Sequence, residues 1–116
     1  MEVKDLLKKV VAAVEDKKAN HVVALEIGKV SIITDYFVIC SANSKVQVQA
    51  IGDHVKKVLG EEGIHPRSVE GLREGTWALL DFGNVVLHIF QEDERRYYNL
   101  EKLWGDAKLI DFSQNN

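Results

Sequence analysis

The residues whose types and spacing could do chemistry concentrate in TWALLDFGNVVLHIF, residues 76–90. Two β-prone runs flank Gly83 and Asn84, a pair suited to a tight hairpin turn in which glycine takes positive φ. With that turn, Ala78 faces Ile89, Leu80 faces Leu87 and Phe82 faces Val85, an apolar face. The other face sets Trp77 beside Phe90, Leu79 beside His88 and Asp81 beside Val86, a mixture suited neither to a dry core nor to a wet surface. A carboxylate on such a strand could begin a two-metal phosphoryl-transfer site, which needs a second acid placed to share the ions. Asp81 is followed by Phe82 and Gly83, so the alternation returns no acid to its face, and Asp35 would have to be brought there by the fold.

Other reactive groups give less. The four histidines, His21, His54, His65 and His88, lack the paired spacing of a helical zinc motif. Cys40, the one cysteine, lies in an apolar run and has no companion thiol, which suits a buried residue in a reducing compartment. No G-x-S-x-G elbow, P-loop or dinucleotide fingerprint occurs. In EDERRYY, arginines beside tyrosines could stack on RNA, but the neighbouring acids cancel their charge, and a solvated helix start explains the stretch better.

The elements that must position these groups follow from periodicity. Val3, Leu6, Leu7, Val10, Val11 and Val14 recur at helical spacing and mark an amphipathic first helix. HVVALEI is a strand ending at Gly28. Tyr36 to Cys40 is unbroken by polar residues, as in a central strand covered on both faces. Ser44 and Gln47 form a capping-box pattern opening a second helix to about Leu59, with Val48, Ile51, Val55, Val58 and Leu59 buried and Gly60 or Gly63 ending it. IHPRSV reads as an edge strand because Pro66 lacks an amide donor. After the hairpin, Glu92, Asp93 and Glu94 favour a helix start, and Tyr97, Leu100, Leu103, Trp104 and Ala107 continue at helical spacing. The order predicts an α/β (α+β) domain over residues 1–116, a mixed five-stranded sheet with packed helices.

Bulk properties narrow the function. A net charge of −3 disfavours a protein whose main work is gripping nucleic-acid phosphates, and leaves it better placed to meet a basic partner. The amino terminus lacks the uncharged block of a signal peptide, and no stretch approaches a membrane span in length, so a cytoplasmic location is expected.

Several stretches, in order, resemble the ribosomal silencing factors, also called the Iojap-related family: TDYFVICSANS at 34–44, AIGDHV at 50–55, EG at 70–71, the hairpin WALLDFGNVVLHIF, and RRYYNLEKLWGDA at 95–107. The resemblance implies a nucleotidyltransferase-like topology put to non-enzymatic use. It implies binding to the large ribosomal subunit through ribosomal protein fourteen, which contributes an intersubunit bridge, so that small-subunit joining is blocked and translation repressed. Carried onto this sequence, the partner-binding residues are Trp77, Leu79, Asp81 and His88, with Tyr98 and Glu70 beside them. No catalytic residue, metal ligand or cofactor is implied. Asn84 stands where the family usually has an acid. Homodimerisation through the same sheet region is also compatible with the resemblance. The contrasting reading is a nucleotidyltransferase-like enzyme acting on a nucleotide or RNA end, for which the lone Asp81 lacks its partner acid.

Overall fold

The computed structural model describes the backbone of residues 2–98 and 108–110 and the side chains of residues 2–95. Helix α1, Val3–Asp16, buries Leu7, Val10, Val11, Ala13 and Val14, the expected stripe widened by Ala13. Strand β1 runs Asn20–Glu26 and β2 runs Tyr36–Ala42, the latter buried at every position. Helix α2, Lys45–Gly60, starts where Ser44 was expected to cap it: its side-chain oxygen accepts from the Gln47 N–H at 3.1 Å. The Gln47 side chain reaches back to the N–H of Asn43, at 2.8 Å, one residue beyond the usual capping-box partner. Val48, Ile51, Gly52, Val55 and Leu59 are buried, and Gly63, not Gly60, takes the positive φ after the helix, at +78°.

The edge strand expected in IHPRSV is shorter and later. It is β3, Ser68–Glu70, which begins beyond Pro66 because the first ladder donor available is the Arg67 N–H, bonded to the Asp81 carbonyl at 2.8 Å. The hairpin consists of β4, Trp77–Asp81, and β5, Val85–Gln91. Gly83 has φ +90° and Asn84 does not share it, as in a type II′ turn. Helix α3 begins at the acidic cluster and is described over Glu92–Tyr98. Leu100, Leu103, Trp104 and Ala107 lie outside the described residues.

The sheet order is β3-β4-β5-β2-β1-β6, with β2 and β5 parallel and the other neighbouring pairs antiparallel. The five strands expected from the sequence are joined by a sixth, β6, Lys108–Ile110, paired to β1. A strand of three residues has no room to display alternation, so periodicity could not reveal it.

The two faces of this sheet differ. Ala24, Val38, Cys40, Ala78, Leu80, Leu87 and Ile89 join the buried sides of α1 and α2 in one core. Leu25, Ile27, Phe37, Ile39, Val86 and Phe90 form a second cluster on the opposite face, with Val23, Trp77 and Leu79 packed at its margin. Hydrogen bonds secure the sheet at both ends. At one end Thr34 donates to the Gly83 carbonyl (2.9 Å), and the Asn84 amide donates to Asp35 (2.8 Å), tying the β1–β2 loop to the hairpin turn. At the other end the buried Ser41 hydroxyl donates to Glu92 (2.8 Å) and accepts from Arg95 (3.1 Å), holding the start of α3 on the sheet.

Removing the α2 cap tests this local reading. Ser44→Ala is expected to lower stability by about 1 kcal/mol, read as a decrease in the urea midpoint at unchanged slope.

Candidate partner-binding face

Turn chemistry sets which side chains reach this face. With Gly83 and Asn84 forming the loop, Trp77 pairs with Phe90, Leu79 with His88 and Asp81 with Val86, the register read from the sequence. A slip of one residue would send Ala78 and Leu80 out of the helix-side core, so burial of that face fixes Trp77, Leu79 and Asp81 on the other.

Pairing across four strands then lines up Glu70, Leu79, His88 and Ile39 in one transverse row. Exposure falls steadily along it: Glu70 is exposed, Leu79 half-buried, His88 only 4% exposed and Ile39 fully buried. A parallel row runs from the exposed Ser68 through half-buried Asp81 to buried Val86 and Phe37. The reachable part of the mixed face is therefore its β3–β4 margin: Glu70, Leu79, Asp81 and, at the end of β4, Trp77. Glu70 arrives there because β3 pairs with β4. Tyr98 ends the described part of α3, and its side chain lies outside the described residues.

Two of the residues read as partner-facing have prior engagements within the molecule. Asp81 accepts from the Gly83 N–H at 2.7 Å and from the Arg67 guanidinium at 3.1 Å, so its charge reaches the surface already paired with a mostly exposed cation. Asp81 thus presents itself to any partner as an Asp81–Arg67 pair. Arg67 follows Pro66 in a segment with weak strand character, so no local signal marks it as the ion-pair partner of Asp81.

His88 departs further from expectation, since it lies beneath the surface and cannot be a first point of contact in this conformation. Its Nδ1 accepts the indole N–H of Trp77 at 3.1 Å. Trp77 and Phe90 stack at 4.9 Å between ring centroids, and Phe37 meets His88 edge-on at 4.7 Å. Because Nδ1 is an acceptor, the neutral ring carries its proton on Nε2, which is buried and has no hydrogen-bond partner among the described residues. An orphaned donor of this kind costs about 1–3 kcal/mol. The signal for the Trp77–His88 bond was available in the sequence: the two are diagonal neighbours on one face of the predicted hairpin, within reach of a large side chain.

Burial holds the His88 pKa down, at about 4. Cys40 is buried, and burial pushes its thiol up to about 12, so it is not a poised nucleophile. Asp35 is held by Asn84 at the turn and Asp81 by Arg67 and Gly83, each in its own hydrogen bonds. His54 pairs with Asp16 at 3.4 Å, between α2 and α1. Among the described residues no three His, Cys, Asp or Glu side chains gather as a metal site would require, and no helix is long and apolar enough to cross a membrane.

The pH dependence of stability follows from His88. Unfolded, its pKa returns to the ordinary value near 6.5, so between pH 6.5 and 4 the unfolded chain binds the extra proton and acid favours unfolding. The contribution should be intact above about pH 6.5 and fall by roughly 3 kcal/mol as pH approaches 4. Denaturant titrations of the native protein and of His88→Leu across that window should differ by this slope, with the variant the flatter of the two.

The chain resembles known proteins both in sequence and in fold. The family profile described as "Ribosomal silencing factor during starvation" matches residues 1–116. A ribosomal silencing factor of Halalkalibacterium halodurans is 52% identical over 107 residues, covering 92% of both chains, and one of Bacillus subtilis is 49% identical over 117 residues, covering 99% of both. The chloroplastic Iojap protein of Zea mays is 33% identical over 85% of this chain but only 43% of its own length. In three dimensions, a crystal structure of a Bacillus halodurans protein superposes with a TM-score of 0.83 at 48% identity, covering 93% of this chain and 98% of that one. A Chromobacterium violaceum protein superposes at 0.88 with 32% identity, covering 90% and 88%.

Proposed function

The chain belongs to the ribosomal silencing factor family, and on that footing we propose that it binds the large ribosomal subunit through ribosomal protein fourteen and blocks small-subunit joining by occupying the bridge surface. The observation that carries this reading is the strip along β4, where Trp77, Leu79 and Asp81 stand half-buried on the face away from α1 and α2, with exposed Glu70 beside them on β3. An aromatic anchor flanked by an aliphatic residue and acids is the composition expected of a hot spot facing a basic protein. Net charge −3 assists the approach to such a partner.

Repression by occupancy needs no bond to be made or broken. What it needs is a surface that stays in shape and a partner whose own task requires the same ground. Asp81 contributes as a pair with Arg67, so it offers a fixed acceptor edge together with a neighbouring donor. A second copy of the chain using this strip would compete with the ribosomal protein, so dimerisation here and silencing are mutually exclusive. The site of action would be the cytoplasm.

Sedimentation with purified subunits tests the proposal. The native protein should co-migrate with the large subunit and reduce its joining to the small one. Trp77→Ala, folded as judged by circular dichroism, should weaken binding by about 2 kcal/mol. Native protein that leaves subunit joining unimpaired would overturn the reading, and undiminished binding of Trp77→Ala would remove Trp77 from the interface.

A further inference from the structure

We infer that His88 is the positioning residue of the strip: its Nδ1 holds the Trp77 indole in one orientation before a partner arrives. This rests on the docking role proposed above, and deepens it by assigning a residue that acts through another.

Three observations converge on the assignment. First, the Trp77 ring is constrained on two sides, by the 3.1 Å hydrogen bond from its Nε1 to His88 and by its stack on Phe90. A ring held both in its plane and across its face has little freedom left to turn, and less ordering remains to be done on docking. Second, His88 is itself held, edge-on to Phe37 and packed near Phe90, so the acceptor does not wander. Third, the imidazole is a poor choice for filling this space. Its Nε2 is buried with no partner among the described residues, a defect that leucine or phenylalanine would avoid at the same position. What those residues lack is an acceptor for the indole. The one nitrogen that is satisfied is the one that meets Trp77.

Among the described residues no hydrogen bond or ion pair joins a charged side chain to the ring. Its cross-strand neighbours are Leu79 on β4 and Ile39 on β2, and its packed rings are Trp77, Phe37 and Phe90. The hydrogen bond therefore lies in an apolar setting, where water competes for it least.

Nitrogen NMR on the native protein reads the device directly. A scalar coupling across the hydrogen bond between Trp77 Nε1 and His88 Nδ1, with the His88 proton on Nε2, is expected. Its absence, or a Trp77 indole proton exchanging as fast as free indole, would overturn the inference. Variants supply the functional arm. His88→Leu should bind the large subunit about tenfold more weakly, while His88→Asn, whose side-chain oxygen takes the place of Nδ1, should restore both binding and indole protection. A folded His88→Leu that binds as tightly as native protein would refute the positioning role. If instead native protein does not bind the large subunit, the docking reading fails, and the NMR coupling still decides whether His88 orients Trp77.

Discussion

Everything in this molecule hangs on the parallel pairing of β2 with β5. Tyr36–Ala42 and Val85–Gln91 align residue for residue, and both strands lie at the centre of the sheet. Strands buried on both faces commit the protein to two apolar layers. One is supplied by α1 and α2. On the other, burial is deepest at β2 and β5 and thins toward β3 and β4, leaving a margin where apolar and acidic side chains meet solvent together. The candidate interface is thus the exposed rim of a core, and the rings beneath it belong to that core.

This origin explains the mixed character of the hairpin. Trp77 and Phe90 continue the second cluster outward, and Leu79 does the same one row along. Asp81 and Glu70 sit where water is still accessible, Asp81 compensated by Arg67 and by the Gly83 amide. His88 stands at the boundary between the two regimes, too deep to be hydrated and too polar to be ordinary core. The Nε2 left without a partner among the described residues is a cost that packing alone does not explain.

Much of this was legible in the sequence, for identifiable reasons. The hairpin register followed from Gly83 and Asn84, a local turn signal, together with the two-residue period of any strand. The α2 cap followed from Ser44 and Gln47, three residues apart. The centrality of β2 followed from its unbroken apolar run. Depth was not legible: alternation places His88 on the same face as Leu79 and Asp81, but how far each is covered depends on neighbours brought from β2 and β3. For the same reason the Arg67 partner of Asp81 is not legible, because the two meet only when β3 docks on β4. Strand β6 escaped because three residues carry no period, and the aromatic pattern from Tyr97 to Trp104 lies mostly outside the described residues.

The contact between the β1–β2 loop and the hairpin turn joins residues 49 positions apart in the chain. During synthesis the greasy segment Tyr36–Cys40 leaves the ribosome well before its parallel partner exists, whereas β4 and β5 need only a tight local turn to find each other. Closure of so long a span is the slow event in such topologies. Until it happens, β2 is an unsatisfied edge open to the wrong neighbour, so crowding of nascent chains threatens this protein most during its own birth.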